Sequence, residues 1–98
     1  MEQIVAEQVA EVLKALAHPL RLRIIEVLAD VEKSVGQIVS ELGANQAVVS
    51  QHLNFMKDKG ILTRRRQGTR VYYSIHNLNV ITLLQCIYNH CNQGRETE

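Results

Sequence analysis

Apolar residues recur at helical spacing from the start of the chain. Val5, Val9, Val12, Leu13 and Leu16 mark a first helix that ends near His18. Pro19 fits the first turn of a second helix, where its missing N–H costs nothing. Leu20, Ile24, Val27, Leu28 and Val31 form the stripe of that helix. Ser34 with Gln37 three residues on is a capping-box pattern, so a third helix starts there. Its core positions are Val35, Ile38, Val39 and Leu42, and Gly43 suits the C-terminal stop. Asn45 then caps a fourth helix through about Lys59, closed by Gly60. A short helix, a tight Gly-containing turn and a second helix make a helix-turn-helix.

The period then changes. Residues 61–66 and 70–75 read as two strands around Gln67-Gly68-Thr69, with β-branched and aromatic residues in the second. Gln-Gly is a weaker hairpin signal than Asn-Gly, which leaves the turn type open. Asn77 caps a fifth helix that runs to about Asn92. Its apolar positions, Leu78, Val80, Ile81, Leu83, Leu84, Ile87 and Tyr88, cover more than one face. A terminal helix apolar over so much of its circumference needs two partners: its own core and another subunit. The predicted architecture is mainly α with a small β-hairpin wing (α+β), a winged helix-turn-helix of four helices, a hairpin and a last helix. One domain spans residues 1–93, and residues 94–98 read as a polar tail.

Viewed down its axis, the fourth helix splits into two chemistries. Val49, Leu53 and Met56 fall on one side as a core stripe, while Ala47, Ser50, Gln51 and Asn54 fall opposite them in a narrow arc. A merely solvated face is ordinarily built from Lys and Glu. Short side chains instead let a helix approach base edges in the major groove, and Gln and Asn pair with adenine.

Charge sharpens this reading. The 98 residues carry a formal net charge of only +1, yet residues 1–41 hold seven acids against four Lys and Arg. Residues 42–98 hold seven Lys and Arg against three acids. A near-neutral total therefore hides a basic half suited to a polyanion. Lys57, Lys59, Arg64, Arg65, Arg66 and Arg70 crowd into fourteen residues around the hairpin. Alternate strand residues point to opposite faces, so the arginines cannot all meet DNA together. At the tip, Arg66, Gln67, Thr69 and Arg70 are the candidates for phosphate or minor-groove contact, with Arg64 behind them.

The segments AHPLRLRIIEVL, VGQIVSELGANQAVVSQHLNFMKDKGIL and RRRQGTRVYYSI together resemble the ArsR/SmtB family of winged-helix repressors. The likeness covers nearly the whole chain, in order and without gaps. It implies a homodimer through the first and last helices, here through Val5, Val9, Val12, Leu84, Ile87, Tyr88 and Cys91. It further implies the fourth helix as recognition helix, the hairpin as wing, and an inducer, often a metal ion, that releases the protein from its operator.

The residues depart from the family at the inducer. Its thiolate site uses Cys-Val-Cys on the third helix, where this chain has Ser34-Val35-Gly36. Its zinc-type site on the last helix uses Asp-x-His and then His-x-x-Glu, and the aligned residues are Asn77, Asn79, His90 and Gln93. Neither familiar site can assemble, so no metal is assigned. Cys86, His90 and Cys91 remain a candidate sensor. Cys86 and His90 share a helix face, and pairing of two last helices would gather ligands for Zn²⁺ or another thiophilic metal, or thiols for a redox switch. Against this, Cys91 continues the Val80, Leu84, Ile87, Tyr88 stripe and can simply pack there. His52 is expected to pack or bond locally, while His18 and His76 lack partners at ligand spacing.

These features predict a cytoplasmic, homodimeric repressor that sets Asn45, Gln46, Ala47, Ser50, Gln51 and Asn54 against a pseudo-palindromic double-stranded operator. Its recognition helices would enter successive major grooves about 34 Å apart. An activator would use the same contacts, and a winged-helix protein-interaction module is the alternative from another class. No nucleophile–base pair, phosphate loop or carboxylate pair stands at a spacing that would serve an enzyme. No apolar run approaches a membrane span, and the acidic, amphipathic start is unlike a signal peptide.

Overall fold

The computed structural model describes residues 1–96, the last four of them as backbone. Four helices come first, interrupted by one short strand: α1 (Gln3–Leu16), α2 (Pro19–Val27), β1 (Lys33–Ser34), α3 (Val35–Leu42) and α4 (Gln46–Asp58). The hairpin of β2 (Leu62–Gln67) and β3 (Arg70–Ile75) and a last helix α5 (Asn79–Glu96) complete the chain. This is the expected winged helix-turn-helix.

Local chemistry sets the boundaries. Pro19 opens α2, and the His18 Nδ1 accepts from the Leu20 N–H at 3.1 Å to cap it. At α3 the capping box is complete: the Gln37 N–H donates to Ser34 Oγ at 3.2 Å, and the Ser34 N–H donates to Gln37 Oε1 at 2.8 Å. Gly43 ends α3 at φ 63°, a left-handed conformation that costs glycine no Cβ clash. The hairpin turn has positive φ at Gly68 alone, which is the pattern of a type II′ turn.

Three features differ from the sequence-based expectation. Helix α2 stops at Val27, and Val31, assigned to its stripe, is 57% exposed. The chain leaves the helix there to deliver Lys33 and Ser34 opposite Tyr73 and Tyr72. That pairing adds a strand two residues long, so the wing is part of a three-stranded antiparallel sheet in the order β1-β3-β2. Helix α5 continues to Glu96, past the end expected near Asn92. Of the tail placed at 94–98, residues 97–98 lie outside the described residues.

One core lies under the helix-turn-helix. Ile24, Ile25 and Leu28 of the α2 region meet Ile38 and Leu42 of α3, Val49, Leu53 and Met56 of α4, and Leu62 and Tyr73 of the sheet. Helix α1 contributes only Ala15 and Leu16 to the buried set, and α5 only Val80, with Leu84 packed against its edge. The remaining apolar positions of both flanking helices face outward. Val5, Val9 and Val12 are 42%, 40% and 36% exposed, and Ile87 and Tyr88 are 51% and 59% exposed. Between α2 and α5 runs a groove of about 630 Å³, lined in part by Leu22, Ile25, Leu84, Ile87 and Cys91.

Candidate nucleic-acid interface

The turn from α3 to α4 fixes the pose of α4, the candidate recognition helix. Asn45 Oδ1 accepts from the N–H groups of Ala47 and Val48 at 2.8 and 3.3 Å, satisfying two donors of the first turn. Its carbonyl oxygen is therefore spent on the cap. Further along α4, Val49, Leu53 and Met56 are 0% exposed. Gln46, Ala47, Gln51 and Asn54 are exposed and Ser50 is half-buried. The buried stripe is thus wholly apolar, and the polar side chains of this arc lie on the opposite side of the helix. Val48 also stands out from this surface, 42% exposed beside Ala47. The sequence reading passed over it, although an apolar residue off the Val49–Leu53–Met56 stripe was the signal. A branched methyl pair there suits a thymine methyl in the major groove.

The wing sorts its arginines by strand parity. Arg65 points away from α4 and is held by Glu32, with Nε donating to both carboxylate oxygens at 2.9 and 3.1 Å and Nη2 donating as well. Its Nη1 donates to Gln67 Oε1 at 2.9 Å, and its guanidinium lies 4.7 Å from the Tyr72 ring centroid. The hydrogen bonds from Arg65 outweigh the opposing effect of desolvation and, with the added effect of its charge, hold the Glu32 carboxyl below its ordinary value. Arg65 thereby pins the outer face of the wing to the segment after α2. Gln67, expected at the tip as a DNA contact, has its carbonyl oxygen committed to this pin.

Arg64 lies on the opposite face, paired across the sheet with Tyr73. Its Nη1 donates to Asn54 Oδ1 at 3.4 Å, and the Tyr73 hydroxyl donates to the same oxygen at 3.1 Å. Arg66, Thr69 and Arg70 are exposed around the turn, and neither arginine is paired with an acid among the described residues. The wing therefore offers two uncommitted guanidinium groups at its tip and one leaning on the recognition helix.

Behind α4, Arg21 ties the helix to the α1–α2 junction. Its Nε donates to His52 Nδ1 at 3.1 Å and its Nη1 to the Ala15 carbonyl at 3.2 Å, while the guanidinium sits 4.0 Å over the Phe55 ring. The rings of His18 and His52 are 4.5 Å apart, so His18 has the neighbour that sequence spacing did not reveal. Desolvation first, then the charges of His18 and Arg21, push His52 below the ordinary 6.5. It is a neutral acceptor that packs in this junction, and its bond is to a residue 31 positions away and not to its own helix.

Two of the residues at the family's metal positions have their side chains bonded to backbone. Ser34 Oγ caps α3, and Asn77 Oδ1 accepts from the Asn79 N–H at 2.9 Å. Neither supplies a soft or imidazole donor, and His90 is the one imidazole left at the zinc-type positions, so the residues there do not fit a thiophilic or zinc-type metal. Cys86, His90 and Cys91 are exposed on α5, both thiols free. Among the described residues no three His, Cys, Asp or Glu side chains converge on one point. The side chain of Gln93 lies outside the described residues. No helix among the described residues is long and apolar enough to cross a membrane.

Comparison with known proteins agrees with this geometry. Residues 18–64 match the bacterial regulatory protein, arsR family. The transcriptional repressor PagR of Bacillus anthracis is 41% identical over 88 residues, which is 89% of this chain and 88% of PagR. The structure of the homodimeric winged helix-turn-helix DNA-binding domain of Mb0332 from Mycobacterium bovis is similar at a TM-score of 0.83 and 35% identity, covering 97% of this chain and 88% of that one. HlyU of Vibrio cholerae, a transcriptional activator, is similar at a TM-score of 0.81 and 34% identity, covering 90% and 98%. On sequence and fold together, the chain belongs to the arsR family of bacterial regulatory proteins.

Proposed function

We propose that two copies of the chain bind a pseudo-palindromic operator and repress transcription by occupying a promoter. The observation that carries the reading is the outer face of α4: short, hydrogen-bonding, backed by a fully buried stripe, and flanked by the uncommitted Arg66 and Arg70. In this arrangement Gln51 reads a base edge, Gln46, Ala47, Val48 and Ser50 border it, and the wing arginines grip phosphates. Asn45 shapes the approach through its cap. The exposed faces of α1 and α5, with Val5, Val9, Val12, Ile87 and Tyr88, cover each other across the dimer. The protein would act in the cytoplasm, on the nucleoid.

A mobility-shift titration against genomic fragments at two salt concentrations tests the proposal. One fragment should outcompete bulk DNA, and affinity should fall steeply with salt. Gln51→Ala should cost about 1–3 kcal/mol of binding to that fragment and little of non-specific binding. If no fragment outcompetes bulk DNA and Gln51→Ala changes nothing, the chain is a protein-interaction module instead. A second reading, activation from the same contacts, is favoured by the likeness to HlyU; promoter fusions in cells with and without the protein decide its sign. As for the signal, Cys86 and Cys91 are the only cysteines in the chain. Changing both to Ser and finding the same operator affinity with Zn²⁺, with oxidant and with neither would remove them as a sensor.

A further inference from the structure

We infer that Asn54 is a positioning residue and not a base reader: with Tyr73 it latches the wing to the recognition helix and sets the Arg64 guanidinium against the DNA backbone. The inference rests on the DNA-binding reading above. Helical projection puts Asn54 on the same outer arc as Ser50 and Gln51, yet its amide oxygen is not free. It accepts from the Tyr73 hydroxyl at 3.1 Å and from Arg64 Nη1 at 3.4 Å. A carbonyl oxygen has two lone pairs, and both are used.

Bidentate recognition of adenine needs that oxygen to accept from N6 while the amide nitrogen donates to N7. Asn54 could do so only by giving up a bond from Tyr73, which is 3% exposed. The phenol would then be left without its acceptor in a site that water barely reaches, an unfavourable exchange. Tyr73 is also the least movable member of the group. It sits on the central strand, with Lys33 of β1 on one side and Arg64 of β2 on the other.

The direction of control therefore runs from sheet to helix to arginine. The central tyrosine fixes Asn54, and Asn54 restrains one of the five N–H donors of Arg64. The others remain for phosphate oxygens beside the groove that α4 enters. A guanidinium held in advance loses less rotamer freedom on binding than one on a loose stem. The contribution is to affinity along the backbone and carries no sequence information.

The test uses the full chain and two duplexes, one selected from randomised DNA by the wild-type protein and one scrambled to the same composition. Asn54→Ala and Arg64→Ala should each weaken both duplexes by the same factor, about 5- to 10-fold, and lower the slope of log affinity against log salt by about one. Tyr73→Phe keeps the packed ring and should weaken both duplexes by about 3-fold, with no further loss when added to Asn54→Ala. A fold defect would lower the melting midpoint and leave the salt slope as it was. The inference is overturned if Asn54→Ala weakens the selected duplex alone with an unchanged slope, or if Tyr73→Phe binds both duplexes like the wild type. If the wild-type protein selects no duplex at all, the DNA-binding reading fails and takes the latch with it.

Discussion

The helix-turn-helix with its wing and the two flanking helices are finished to different degrees within one chain. Helices α3 and α4 bury Ile38, Leu42, Val49, Leu53 and Met56 and are capped by Ser34 and Asn45. Helices α1 and α5 instead carry rows of apolar residues at roughly half exposure, and each enters the core only at one end. Under the proposed function the difference has a reason: the region that would meet DNA is completed within one chain, and the region that would meet a second copy keeps its apolar faces open until it does. The contrast teaches how a small domain can leave part of its stability to association, since a domain of this length buries too little surface alone for a wide stability margin.

The largest expected effect breaks the finished half. Leu53→Ala removes a side chain that is 0% exposed and should cost about 2–5 kcal/mol, a large share of the stability of a small domain. Thermal unfolding should shift downward by about 10 °C or more at every protein concentration. A shift of only a degree or two would mean that the core under α4 is loosely packed.

Breaking the unfinished half should look different. Ile87→Asp puts a charge on the exposed face of α5, where it should leave the fold of the single chain intact but abolish dimerisation. Sedimentation should give a monomer, the melting midpoint should lose its dependence on concentration, and operator affinity should fall by about 100-fold or more as the two half-sites become independent. A variant that still sediments as a dimer would move the interface off α5.

The smallest effect concerns the joint between the halves. His52 is neutral where it accepts from Arg21, with its pKa depressed below the 6.5 of an unfolded chain. The unfolded chain therefore takes up the proton first as pH falls. The contribution of this bond is present above about pH 6.5 and is lost as pH drops through the lower folded value. Urea unfolding at about pH 7.5 and about pH 5.5 should show lower stability in acid, and His52→Asn, which keeps an acceptor and cannot titrate, should flatten the difference. An equally steep loss in that variant would place the acid sensitivity elsewhere.

What the sequence made legible was whatever has a period or a local cap. The 3.6-residue repeat places Val49, Leu53 and Met56 inward, the Ser34–Gln37 spacing announces α3, and Gly43 announces its end. The rest depends on residues far apart in sequence. Glu32 and Arg65 meet across 33 positions, and Asn54 and Tyr73 across 19. Helical projection gave Asn54 the right side of α4 but could not show that the central strand passes within reach of it. A strand of two residues has no period to detect, which is why β1 was missed and Val31 was counted with the helix before it. Strand alternation did show that the arginines divide between two faces; it did not show which of them would find a carboxylate.

Ser34 has one consequence beyond capping. It pairs with Tyr72 as the last residue of β1 and caps α3 in the same breath, so sheet and helix-turn-helix join with no spacer between them. One residue inserted between 34 and 35 would turn α3 by about 100° relative to the sheet and disengage Ile38 from the core. The same insertion at the Gly68–Thr69 turn would only lengthen the tip of the wing. The wing tip can therefore vary in length without disturbing the core, and under the proposed function that would adjust its reach along the DNA, while an insertion at the Ser34 junction turns a whole helix out of register.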